Sequence, residues 1–176
     1  IQKLVHDLIG YYVIMEGIFF YAGFAIMLAL KRRHKMVGIG EQFEYIMRDE
    51  SLHLAFGCDL INTVKKENSD IWTKELQADS TRLVEEAVAL EKLYARDACP
   101  EGILGINSSR FCDYVEYIVD RRLERIELPK VYRTENPFPW MSLATLCRSW
   151  ERGSRYPRRT SRRPGEISRS TDRSTE

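Results

Sequence analysis

Residues 8–30 read Leu8-Ile9-Gly10-Tyr11-Tyr12-Val13-Ile14-Met15-Glu16-Gly17-Ile18-Phe19-Phe20-Tyr21-Ala22-Gly23-Phe24-Ala25-Ile26-Met27-Leu28-Ala29-Leu30, and Glu16 is the only charge among them. The basic run Lys31-Arg32-Arg33-His34-Lys35 follows. Two kinds of protein carry such a stretch. A single membrane-spanning helix with a basic flank has this length and order. So does the central helix of a soluble bundle, apolar all round because other helices surround it. Glu16 separates the two: a carboxylate at mid-bilayer costs a few kcal/mol and is rarely kept without a partner, so the bundle reading requires something in the core to neutralise it.

The next helical stretch, from about Val37 to Lys66, supplies that neutraliser. Ile46, Asp49, Glu50 and His53 fall at i, i+3, i+4 and i+7 and share one face, which is expected to point inward. Burying two acids and an imidazole without a partner is costly, so a compensating cation is the economical account. In a dinuclear site within a four-helix bundle, each metal takes a Glu and a His from a Glu-x-x-His turn, while single Glu residues on the other two helices complete and bridge the pair. Glu50-x-x-His53 is one such turn, and Glu16 is the right kind of residue for a single carboxylate. His6 and His34 do not provide the second turn, because Lys3 and Lys31 stand three residues before them. The other half of the ligand set is expected upstream of Ile1. The competing reading of Glu50 and His53 is a local hydrogen bond on a solvated helix face.

Working outward, the periodicity is helical as far as about residue 127, and no alternating run bounded by hairpin turns occurs. The fold class is all-α. A third helix is expected from about Thr73 to Ala98, with Leu83, Val84, Ala87, Leu90 and Tyr94 as its apolar stripe. A fourth is expected from about Ser109 to Glu127, with Thr73 and Ser108 or Ser109 as N-caps and Pro100, Gly102 and Gly105 as breakers. Short loops between long helices place neighbours antiparallel, as in a bundle. The segment Val131 to Ser142 contains Pro137 and Pro139 and is expected to run extended over the surface.

The chain has 176 residues, 44% of them hydrophobic, enough for one domain with a buried core. It opens inside a helical pattern with Ile1 and no cap residue, and so reads as a fragment without a signal peptide. The cysteines, Cys58, Cys99, Cys112 and Cys147, show neither C-x-x-C spacing nor a zinc pattern with the histidines, and read as free thiols in a reducing compartment. The net charge of +1 conceals a break near Ser142: residues 1–142 carry 18 Lys+Arg against 22 Asp+Glu, whereas residues 143–176 carry 9 Arg, no Lys and 4 acids. This Arg- and Ser-rich tail reads as disordered. Arg158-Arg159 and Arg162-Arg163 would be its anchors on nucleic acid. Its abrupt composition fits translation in a shifted frame better, and no nucleic-acid binding is expected.

Five stretches, in order and spacing, resemble the class I ribonucleotide reductase small subunit. They are Tyr12-Val13-Ile14-Met15-Glu16-Gly17-Ile18-Phe19-Phe20-Tyr21 with Phe24, Arg48-Asp49-Glu50-Ser51-Leu52-His53-Leu54, Gly102-Ile103-Leu104-Gly105, Tyr114-Val115-Glu116-Tyr117-Ile118 and Asn136-Pro137-Phe138-Pro139-Trp140. The likeness covers residues 1 to about 142, and the Glu16 motif is most similar to the chlamydial type. It implies a ferritin-like bundle, with residues 1–142 as the C-terminal part of the domain. It implies Glu16, Glu50 and His53 as ligands of a dinuclear centre, di-iron or manganese-iron, that reacts with oxygen. Asp49 matches the family's aspartate that hydrogen-bonds a metal-bound histidine on the radical-transfer route, its plainer alternative being a surface acid paired with Arg48. Phe20, Phe24 and Ile46 match the apolar pocket around the oxidant, and are equally explained as core. The implied partners are the large catalytic subunit and a second small subunit, in the cytoplasm, without a membrane. Other readings are a related ferritin-like dimetal oxidase or metal-storage protein, and a single-pass membrane protein.

Overall fold

The computed structural model describes residues 1–102 and 106–141. The expected Ile103, Leu104 and Gly105 of one motif, Ser142 and the whole tail 143–176 lie outside the described residues. Among the described residues there are four long helices and no strand, in agreement with the all-α expectation.

The first helix runs Gln2–Arg32, and its middle, Ile9–Phe19, is wound as a π-helix, with the Phe20 amide bonding the Met15 carbonyl five residues back. By length and composition this helix could cross a membrane, but 61% of its most apolar window is buried by the rest of the chain. Val5, Ile9, Val13, Ile18, Ala22, Ala25 and Leu28 are all inside. It serves here as a core helix, as a stretch apolar on every side must when helices pack around it. A turn follows in which His34 and Met36 adopt left-handed backbone angles, with φ of 56° and 50°.

The second helix, Val37–Glu67, packs against the first through Gly40, Met47, Leu54, Gly57, Cys58 and Ile61. Gly57 is there because of space: a Cβ at that position would lie 2.1 Å from the Tyr12 ring. The third helix, Lys74–Ala98, starts where Thr73 accepts a hydrogen bond from the Leu76 amide at 3.2 Å, as its sequence leads one to expect. Its buried side differs from the expected stripe. Val84 and Ala87 are inside, but Leu90 and Tyr94 are exposed and Leu83 only half-buried; Leu76, Ser80, Val88, Glu91 and Ala95 complete the inner face. The expected stripe avoided Glu91, whereas packing turned the helix so that the small residues Ser80, Ala87 and Ala95 meet their neighbours.

The fourth helix, Ser108–Arg125, is capped by Asn107, whose Oδ1 accepts from the Arg110 amide at 2.8 Å, rather than by Ser108 or Ser109. Asn and Ser cap almost equally well, so the one placed with extended backbone decides. Phe111, Tyr114, Val115, Ile118 and Leu123 form its inner face. The chain then runs without regular structure back along this helix, held where Asp120 accepts from the amides of Val131 and Tyr132, at 2.8 and 3.1 Å, and from that of Arg133. The two-proline segment departs from the expected extended run: Arg133 takes a left-handed φ of 60°, the chain bends at Val131, Tyr132 and Pro137, and it closes in a single 3-10 turn, Pro139–Met141, which Pro at a first helical position permits. Phe138 is buried against Tyr114 and Trp140. Cys58 and Cys99 are buried, Cys112 is partly so, and all three are free thiols.

Candidate metal centre

Three ionisable side chains meet where the π-helical stretch of the first helix passes the middle of the second. Glu16 is 7% exposed. His53 Nδ1 lies 2.9 Å from Glu50 Oε2 and 4.0 Å from Glu16 Oε2. One ligand atom from each of Glu16, Glu50 and His53 lies within 4.8 Å of the others. The i, i+3 spacing in the second helix puts Glu50 and His53 on the same side, as the sequence predicts. Glu16 reaches them only because its helix crosses there.

The face that carries them is not the buried one. Ile46, Asp49 and His53 are exposed and Glu50 is half-buried, because the second helix turns Met47, Leu54, Cys58 and Ile61 to the core instead. The expected inward face is therefore an open flank, walled on one side by the first helix.

The electrostatics are those of a site lacking positive charge. Glu16 Oε2 is fully buried and has no hydrogen-bond partner. Burial, and then the hydrogen bond and negative charge of Glu50, push the Glu16 carboxyl up to about 7, against the smaller opposing pulls of His53 and Tyr11. Burial opposes ionisation of Glu50 as well, but hydrogen bonds to Glu16 and His53 and the His53 charge hold it below the ordinary carboxylate range. The hydrogen bond to Glu50 raises His53. Without a metal, then, burial and the neighbouring negative charge favour the protonated form of Glu16. Two carboxylates, an imidazole and an orphaned buried oxygen suit a hard or borderline divalent ion, which would displace that proton.

The remaining expected site residues are distributed as follows. Asp49 is exposed, and its Oδ1 accepts from Arg48 Nε and Nη2 at 3.1 and 3.0 Å. Phe24 is buried and stacks at an angle on Tyr21 and Phe43, whereas Phe20 and Ile46 are 40% and 42% exposed. Phe20 and Phe24 are one turn apart with ring centroids 6.3 Å from each other. Two neighbours of Glu16 escaped the sequence reading. Tyr11 acts on its carboxyl from five residues earlier, a separation that helical spacing of 3.6 does not bring together but a π-turn does. Arg122 reaches the Gly17 carbonyl from the fourth helix, and no pattern within either helix announces it.

An all-α bundle that collects carboxylates and an imidazole from two crossing helices defines the ferritin-like class of carboxylate-bound metalloproteins. The sequence model described as "Ribonucleotide reductase, small chain" matches residues 1–137, and the chain belongs to that family. It is 58% identical over 140 residues to the ribonucleoside-diphosphate reductase subunit beta of Chlamydia pneumoniae, covering 80% of this chain and 40% of that one. To the small chain of Nicotiana tabacum it is 35% identical over 132 residues, 75% of this chain and 38% of the other. Among solved structures it resembles the ribonucleotide reductase R2 subunit from Clostridium botulinum, with a TM-score of 0.73 and 33% identity over 76% of this chain and 43% of that one. The chain thus spans about two fifths of the length of the relatives it matches.

Proposed function

We propose that the chain forms part of the small subunit of a ribonucleoside-diphosphate reductase, in which Glu16, Glu50 and His53 are ligands of a dinuclear metal centre. The observation that carries the reading is Glu16 Oε2, buried, without a hydrogen bond, and 4.0 Å from the imidazole of a Glu-x-x-His turn. Membership of the family and the match to the Chlamydia pneumoniae beta subunit support it. When bound, the metal pair, di-iron or manganese-iron, supplies by reaction with oxygen the oxidising equivalent that the small subunit passes as a radical to the large subunit for reduction of ribonucleotides.

The chain's own residues contribute charge, dryness and a route. Glu16 and Glu50 offset the metal charge once both are ionised, and His53 must be neutral to ligate. Phe20, Phe24 and Ile46 keep water from the oxidant, a role in which Phe24 is already buried and the two others await cover. Asp49 lies on the radical-transfer route beside Glu50. Its present tie to Arg48 is an exposed one, worth little, and breaks readily. The remaining ligands come from a second Glu-x-x-His helix and a further carboxylate outside this chain. Residues 1–142 are assigned to the ferritin-like domain, and the change of composition at residue 143 sets residues 143–176 apart from it. The working assembly is a dimer of small subunits with the large subunit, in the cytoplasm.

The test is metal content. The complete subunit should bind two transition-metal ions per chain, and Glu50→Ala should abolish stoichiometric loading. Normal loading of that variant, measured by elemental analysis after removal of free metal, refutes the assignment.

A further inference from the structure

The fourth helix carries none of the three candidate ligands, yet it sends one buried cation to the segment that holds them. Arg122 is 8% exposed. Its Nε donates to the Gly17 carbonyl at 3.0 Å, and its guanidinium lies 4.5 Å from the centre of the Tyr21 ring. Among the described residues it has no carboxylate within 4 Å. A buried charge without a counter-ion is costly, so its contacts must be read for what they hold in place.

Both contacts lead to the metal ligands. Gly17 follows Glu16 at the end of the π-helical stretch, close to where the ladder returns from five-residue to four-residue hydrogen bonds near Phe20. At this change of register Arg122 supplies the Gly17 carbonyl with a donor from outside its own helix. The fit is close: a Cβ on Gly17 would lie 3.0 Å from Leu54 Cδ1 and 3.3 Å from Arg122 Nε. Tyr21 continues the link, because its hydroxyl lies 2.5 Å from Ser51 Oγ, and Ser51 spends its single proton on the Met47 carbonyl at 2.6 Å. Tyr21 is therefore the donor to Ser51. Ser51 is the next residue after Glu50.

We propose that Arg122 is a positioning residue for the metal site: through the Gly17 carbonyl it holds the π-turn that aims Glu16, and through Tyr21 and Ser51 it fixes that turn against the segment bearing Glu50 and His53. The register matters because each residue of an α-helix advances the side-chain direction by about 100°, so loss of the π-turn would swing Glu16 away from His53. A planar guanidinium suits the task, since it donates in its plane while its flat face rests on an aromatic ring.

The inference rests on the proposed ligand set, and the experiment separates the two. The complete subunit, freed of metal, is titrated with cobalt(II), whose ligand-field absorption reports the geometry of the ligands. Arg122→Met should weaken cobalt affinity by about tenfold or more and alter the visible spectrum, as loss of a residue that orients ligands does elsewhere. Arg122→Lys should restore only part of the affinity, and Gly17→Ala should shift the spectrum in the same direction as Arg122→Met. Lys65→Met, which removes a comparably buried cation about four turns beyond Glu50 on the second helix, is the control for general destabilisation and should leave the spectrum unchanged. If the wild type binds cobalt and Arg122→Met gives the same spectrum and affinity, or if Lys65→Met perturbs the spectrum equally, the positioning role is overturned while the ligand set stands. If Glu50→Ala binds cobalt as the wild type does, it is the ligand set that fails, and the positioning role with it.

Discussion

Two buried charges in this chain live under opposite conditions. At the C-terminal end of the second helix, the Lys65 ammonium donates to the Ile126 carbonyl at 2.7 Å, to Glu127 Oε2 at 2.9 Å and to Asn62 Oδ1 at 3.2 Å, and it faces the Trp72 ring at 4.3 Å. All three of its protons are used. Four helical turns earlier, on the same helix, Glu50 stands beside Glu16, a buried carboxyl with an oxygen that nothing meets. The first arrangement ties the end of one helix to the end of another and is complete in itself. The second is complete only with a cation. Buried polar groups in folded proteins are nearly always satisfied, so the unpaired Glu16 Oε2, an ionisable oxygen beside a Glu and a His, is the feature on which the proposed ligand role rests.

The contrast can be broken at either end. The largest effect expected after the all-or-none loss of metal in Glu50→Ala is that of Lys65→Met on stability. Removing the ammonium strands the Ile126 carbonyl and should cost about 2–3 kcal/mol in chemical unfolding of the apo protein, with metal stoichiometry intact. A Lys65→Met protein as stable as wild type would show that the link contributes nothing net.

Proton competition should follow in size. Because the metal-free Glu16 carboxyl titrates at about 7 and His53 is raised as well, each must lose a proton to ligate. Metal uptake should therefore release protons, and apparent affinity should fall by roughly tenfold per unit as pH drops below 7 if one proton is displaced. Affinity that is flat between pH 6 and 8 would contradict a ligand role for Glu16.

The last effect, confined to one pH range, concerns Glu16→Gln in the apo protein. With its folded value raised above the ordinary 4.5, Glu16 binds more proton folded than unfolded between the two values. Its carboxyl therefore costs little below about pH 4.5, and the cost builds as pH rises from there to about 7 and is constant above that. Glu16→Gln should be more stable than wild type at pH 8 by up to about 3 kcal/mol and by little at pH 5, while losing tight metal binding. The lowered Glu50 value works in the opposite sense, and any residual slope in the variant reports it.

Periodicity and composition carried much of the fold. Four helices, the Thr73 cap and the pairing of Glu50 with His53 follow from rules that act within a turn or two of chain, and all are present. The reading of Glu16 as a core carboxylate rather than a mid-membrane one rested on energetic cost, and its helix is indeed packed within the bundle. Where the direction of a helix face differs from expectation, the deciding contact is made by another helix. Spacing shows which residues share a face but not where the face points. Leu90 and Tyr94 therefore went outward while Glu91 went in, and the Glu50 face lies on an open flank rather than inside.

Taken by itself, then, the sequence determined an all-α chain with a Glu-x-x-His turn and a carboxylate in need of a partner, because hydrogen-bond ladders, caps and side-chain spacing are local. Tertiary structure alone decided that Glu16 meets His53, that a π-turn aims it there, and that Arg122 reaches the Gly17 carbonyl 105 positions away. The physical reason is that crossing points and register between helices are set by packing of side chains from both partners, and neither partner's sequence contains the other.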